Sequence, residues 1–148
     1  MLCDAIERND LDEVRRLIEA GEDVDGIDFD HEATPIEKAA EQRNAEAVKL
    51  LLELGAAPDR AMINPPILLA ATSGDLEIVG LLLANDANPN ETDEDGFTAL
   101  MGAAWKGHAA TVEMLLGGGA DPHQKSREGE TAYFRASSDA IRALLPPD

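Results

Sequence analysis

The sequence predicts an all-α solenoid of stacked helical hairpins, and three observations carry that prediction. The first is internal repetition: residues 34–59, 65–90 and 98–123 align as TPIEKAAEQRNAEAVKLLLELGAAPD, PPILLAATSGDLEIVGLLLANDANPN and TALMGAAWKGHAATVEMLLGGGADPH. The pairs Ala39-Ala40, Ala70-Ala71 and Ala103-Ala104 recur after 31 and 33 residues, as do Val48, Val79 and Val112. A period of this length marks an array whose single unit cannot bury its own apolar face, so neighbours must stack. The second is composition: 24 Ala and 18 Leu against five aromatics suit closely spaced helices. The third is the i, i+3, i+4 stripe of Val48/Leu51/Leu52, Val79/Leu82/Leu83 and Val112/Leu115/Leu116, the signature of an amphipathic helix.

Each element follows in order. The first copy starts inside a helix at Leu2-Cys3-Asp4-Ala5, 34 residues before its counterpart, and Asn9-Asp10 separates it from a second helix carrying Val14, Leu17 and Ile18. Glu7, Arg8, Asp12, Glu13, Arg15 and Arg16 give this copy a polar outer face. In the next copy Thr34 can cap a helix that opens with Pro35, where the missing N–H costs nothing. Asn44 restarts the chain and Gly55 ends the second helix in a left-handed residue. The third copy replaces Thr-Pro by Pro65-Pro66 and breaks at Gly74-Asp75. The fourth uses Thr98, Gly107-His108 and Gly117 to Gly119 in the same roles. In the last, Gly129-x-Thr131-Ala132 lies 33 residues after Gly96-x-Thr98-Ala99, Ser138-Asp139 can cap Ile141, Leu144 and Leu145, and Pro146-Pro147 forbids continuation. The expected organisation is one domain over 1–148, with units 1–25, 26–59, 60–90, 91–123 and 124–148, the outer two acting as caps that complete the solenoid.

The run Gly96-Phe97-Thr98-Ala99-Leu100-Met101-Gly102-Ala103-Ala104-Trp105-Lys106-Gly107-His108, followed by Val112, Leu115, Leu116, Gly119, Ala120 and Asp121, resembles the ankyrin repeat. The resemblance covers nearly the whole chain, because five copies keep phase. It implies helix-turn-helix units joined by short β-hairpin-like fingers. The residues depart from the pattern in two places. The usual His of T-P-L-H is Glu37, Leu68, Met101 or Phe134 here, and the 31-residue step from Thr34 to Pro65 makes one finger two residues shorter than the next.

Composition limits the function. With 12 Lys+Arg against 30 Asp+Glu the net charge is −18, so nucleic acid and anionic membranes would repel this surface. A hydrophobic share of 44% separates the chain from disordered acidic tails. The N-terminus shows no basic segment followed by an apolar run, and no stretch approaches the roughly 20 apolar residues that span a bilayer, so a soluble cytoplasmic protein is expected. The single Cys3 excludes an internal disulfide and a Cys-based zinc cage, and is expected as a small buried apolar residue.

Chemistry is sparse. His31 falls in a finger, His108 in the turn between helices and His123 at the end of a unit, so no nucleophile stands beside a base. The resemblance gives His108 a bracing or capping role in the turn. Gly102-x-x-x-x-Gly107-His108 lacks the Lys of a phosphate loop and lies within a predicted helix. Glu91-x-Asp93-x-Asp95-Gly96 opens like a calcium loop, but Gly102 stands where the closing Glu belongs, which leaves weak cation attraction or a solvated finger tip. Asn90-Glu91-Thr92 is a glycosylation sequon only in a secreted chain. No enzyme activity, cofactor or metal is expected; an enzyme or a cation-dependent sensor is the rival class.

The expected function is non-catalytic protein binding by a monomer. In the family, fingers and exposed first-helix positions line a concave groove, which here comprises Asp30, His31, Ala33, Glu41 and Gln42, then Met62, Asn64, Thr72 and Ser73. It continues with Glu94, Asp95, Phe97, Trp105 and Lys106, then Glu128, Glu130 and Ser138. The only Trp and one of three Phe fall in one unit, and buried aromatic anchors dominate interface energy, so Phe97 and Trp105 are the expected anchors. The alternative is that Trp105 packs on the neighbouring unit, with Ser73 or Ser138 leaving room. Residues 22–32 hold six acids and no Lys or Arg, and 91–95 hold four more. Either this field attracts a basic partner, including a toxin or enzyme that the chain neutralises as acidic immunity-type proteins do, or it maintains solubility.

Overall fold

Local hydrogen bonding starts the helices where short polar side chains stand. In this computed structural model, which describes residues 1–148, the first helices of the successive units are α1 (Leu2–Glu7), α3 (Pro35–Glu41), α5 (Pro66–Ser73), α7 (Ala99–Lys106) and α9 (Ala132–Arg135). Their partners are α2 (Leu11–Glu19), α4 (Ala45–Glu53), α6 (Leu76–Ala84), α8 (Ala109–Gly117) and α10 (Asp139–Arg142). Thr34, Thr98 and Thr131 accept the N–H groups of Glu37, Met101 and Phe134. Asp10, Asn44 and Asp75 do the same for Glu13, Ala47 and Ile78 at the second helices. Such caps satisfy backbone donors that the first turn leaves free. At the end of the chain Ser138 caps Ile141 as expected, while Asp139 instead pairs with Arg142.

The helices stack in two layers. Successive first helices α1, α3, α5, α7 and α9 pack side by side, α2, α4, α6 and α8 form the second layer, and the first four hairpins close on themselves. One apolar core runs through the stack. Ile36, Ile67 and Leu100 fill it from the first layer, Val14, Val48, Val79 and Val112 from the second, and Leu51, Leu82 and Leu115 one turn on. Small residues let the first helices approach. A Cβ at Gly102 would lie 2.3 Å from Thr72 Oγ1, so only glycine fits there against α5.

Polar links tie each unit to the next at equivalent positions. Asp25 accepts the Ala57 N–H at 2.9 Å, Asp59 that of Asn88 at 3.0 Å, and Asn90 that of Asp121 at 2.7 Å. Burial nevertheless pushes the Asp59 carboxyl above its ordinary pKa, more than the Asn88 bond lowers it. His108 braces but does not cap. Its side chain makes no bond to α8; Nε2 reaches Thr72 O at 3.1 Å, and the ring lies against Gly74, whose φ of 70° places it in the left-handed region.

The fingers differ from the hairpins that the resemblance implies. Pairing shrinks to single bridges, Asp28 with Ala33 and Thr92 with Thr98, and no strand forms. These loops are held instead by side chains that turn back on their own backbone, as Asp and Asn do in tight turns. Asp28 accepts from Asp30 and His31, and Asp93 from Asp95 and Phe97. The shortened finger has no bridge at all and a different anchor. Thr34 Oγ1 donates to Arg60 O at 2.7 Å, and the buried Glu37 carboxylate accepts the N–H groups of Met62, Ile63 and Asn64 at 2.7, 3.1 and 2.6 Å.

Candidate functional site

Two places on the face shared by first helices and fingers concentrate exposed apolar and charged groups. The first is centred on the fourth unit. Phe97 immediately precedes the capping Thr98, and Trp105 lies in the last turn of α7 two turns on. Their rings meet edge to face, centroids 6.5 Å apart at 87°, a geometry that places a positive ring edge against a negative face. Trp105 is 49% exposed and so is not a core residue; Phe97, expected to project, is half-buried against the core. Lys106 Nζ lies 4.3 Å from the Trp105 centroid and the Arg135 guanidinium 5.1 Å from that of Phe97.

These two rings and Asp93 wall a pair of hollows, each of about 300 Å³. One opens toward α5 and is completed by Asn64, Leu68, Leu69, Thr72 and Ser73. The other opens toward α9 and is completed by Asp95, Ser126, Arg127, Glu128 and Arg135. Of the residues expected in the groove, Asn64, Thr72, Ser73, Asp95, Phe97, Trp105 and Glu128 thus converge, with Lys106 on the Trp ring. The sequence reading missed Arg135 and Asp93. Arg135 sits 38 positions from Phe97, and no local pattern connects them.

The remaining expected residues lie elsewhere. Glu94 and Met62 are exposed on fingers outside both hollows, as is Gln42 at the end of α3; Glu41 pairs with Lys38 at 3.3 Å. Glu130 is mostly covered and pairs with Arg135, so it holds the wall of the site and is not free rim. Ser138 is an exposed helix cap. Ala33 is not a groove residue: its backbone pairs with Asp28, and it is buried.

The second place is at the first unit. A hollow of about 560 Å³ is lined by Cys3, Asp4, Glu22, Asp28, Asp30 and His31, with Ile27 and Phe29 exposed at its edge. His31 is turned inward and not toward an open groove. Its Nδ1 lies 2.9 Å from Asp28 Oδ2, and Nε2 lies 3.5 Å from Asp4 and 3.7 Å from Glu7. Desolvation opposes ionisation of Asp28, yet bonds from the His31 backbone and ring hold its carboxyl below the ordinary value. Burial, reinforced by the Asp28 charge, pushes the Cys3 thiol up to about 12, so it stays protonated as the sequence reading of a buried apolar Cys requires.

The stack of capped hairpins, with His108 bracing the preceding turn, defines a helical-repeat protein. The family model described as ankyrin repeats (3 copies) matches residues 67–148, more than half of the chain, and the chain belongs to the ankyrin-repeat family. It is 37% identical over 98 residues to glycerophosphocholine phosphodiesterase gde1 of Schizosaccharomyces pombe, covering 64% of this chain and 8% of that protein. Against the ankyrin repeat, SAM and basic leucine zipper domain-containing protein 1 of Mus musculus the identity is 34% over 110 residues, 70% of this chain and 23% of the relative. The Homo sapiens counterpart is 35% identical over 105 residues, 67% of this chain and 22% of the relative. The chain therefore spans under a quarter of the length of these curated relatives. Ankyrin repeats generally serve as protein–protein interaction modules and are typically non-catalytic. No helix is long and apolar enough to cross a membrane.

Proposed function

We propose that this chain is a non-catalytic binding module that grips a partner protein across the face of first helices and fingers. Trp105 and Phe97 are its apolar anchors, and the exposed Asp95 offers a carboxylate to a basic partner residue beside Asp93, which holds its own finger, and Glu128, which pairs with Arg135. The observation that carries the reading is the half-exposed Trp105 held edge-on to Phe97 between two hollows. Folding does not require that indole at the surface, whereas Trp in a pocket with a polar rim is the commonest interface hot spot. A narrower form of the reading, in which the partner is a basic toxin or enzyme inhibited by occlusion, is favoured by the net charge of −18.

Affinity capture with the wild type and Trp105→Ala, read by mass spectrometry, tests the proposal. The variant is expected to lose the partner while keeping its helical circular dichroism. Capture unchanged by Trp105→Ala would sink the anchor assignment. An association rate indifferent to salt would remove the charge argument.

A further inference from the structure

The groups around Cys3 form an arrangement that binding at the Trp105 face does not use. Cys3 Sγ, an Asp28 carboxylate oxygen and a His31 ring nitrogen all lie within 4.8 Å of one another. They come from separate parts of the first two units, Cys3 from α1 and the others from the finger before α3. Asp28 is the hub: its carboxylate lies within 4.8 Å of the Cys3 sulfur and faces His31 Nδ1 at 2.9 Å. Thiol, imidazole and carboxylate converging on one point are the mixed sulfur, nitrogen and oxygen donors that a borderline-soft divalent cation prefers.

We propose that Cys3, Asp28 and His31 bind a single zinc-type transition-metal ion. Three protein ligands with an open hollow on one side leave room for water at a further coordination position. The surroundings fit a cation. With Nδ1 on the metal, the Nε2–H of His31 points toward Asp4 and Glu7, the carboxylate support that orients ligating histidines. Glu22 lines the same hollow, and its buried Oε1 has no hydrogen-bond partner. The Met1 ammonium lies 3.7 Å from Asp28 and 3.5 Å from Asp4, at the mouth of the same hollow, and a metal ion would take its place beside Asp28; Lys38 is drawn off by Glu7 at 2.7 Å and Glu41. On coordination the Cys3 S–H bond breaks, its electron pair forms the sulfur–metal bond and the proton leaves to solvent; no oxidation state changes.

The test uses chelator-stripped full chain, Zn²⁺ alone competed against a chromogenic chelator, and Co²⁺ substitution read by absorption. Expected are one equivalent bound, a thiolate-to-cobalt charge-transfer band, and a melting temperature that rises with Zn²⁺. Cys3→Ser should abolish the band. His31→Gln should weaken binding by at least about 100-fold, and Asp4→Asn by about 10- to 100-fold, as loss of a supporting carboxylate does. If Cys3→Ser does not fold, His31→Gln and Asp28→Asn decide, since both change partly exposed side chains. Absence of Zn²⁺ binding, a cobalt spectrum without the thiolate band, or wild-type affinity in His31→Gln would overturn the proposal; each would leave the Trp105 reading untouched.

Discussion

Glu37 Oε1 accepts the Asn64 N–H at 2.6 Å, which makes one buried carboxylate in α3 the anchor of the finger that leads into α5. The same carboxylate also takes the N–H groups of Met62, Ile63 and, at 3.4 Å, its own cap residue Thr34. Glu37→Ala should leave these donors without a partner and destabilise the chain by roughly 3 kcal/mol, since bonds to a charged acceptor exceed neutral ones. Urea unfolding measures this, and hydrogen exchange should speed first at residues 62–64.

Trp105→Ala is expected to cost only about 1 kcal/mol of stability, the value of an edge-to-face pair at a half-exposed site. Leu115→Ala, which empties a fully buried position, should cost about 2–5 kcal/mol. Denaturant curves of the two variants side by side check the ordering, which reverses if Trp105 is core.

Gly102 and Thr72 should be energetically coupled. Ala at 102 gains about 1 kcal/mol in helix propensity, yet its Cβ meets Thr72 Oγ1 at 2.3 Å, and overpacking of this kind costs about 1–3 kcal/mol. Gly102→Ala alone is therefore expected to destabilise. In a Thr72→Ala background the obstructing hydroxyl is gone, and the same change should become neutral or stabilising. A double-mutant cycle on unfolding free energies reads the coupling directly.

Stability should fall in alkali through Cys3. Its thiol titrates at about 12 folded against 9.0 as the ordinary value, so the folded state favours the protonated form. That contribution is complete below pH 9 and is lost as pH rises from there toward 12. Thermal melts with chelator present should show the wild type losing stability more steeply than Cys3→Ala across that window, with parallel curves below it.

The repeat, the helix starts and the core were legible in the sequence because their causes are local. A cap such as Thr98 satisfies a backbone donor three residues away, and Val112/Leu115/Leu116 mark one helix face without reference to anything distant. The exposure of Trp105 was legible for another reason: the repeat phase assigns it to the exposed end of a first helix. The count of acids does not reveal their separate structural tasks. Asp25 and Asp59 link neighbouring units, Asp93 folds its own finger, and Glu130 and Glu41 answer nearby cations.

Sequence alone determined that this chain stacks as five helical hairpins around an Ala- and Leu-rich core, since helix period and cap chemistry act within a few residues. Tertiary structure alone decided which side chains meet across units: Arg135 over Phe97, Glu37 beneath residues 62–64, and His31 turned in to Asp28 beside Cys3. Those meetings join residues far apart along the chain, so helix period and cap chemistry, which act within a few residues, do not encode them.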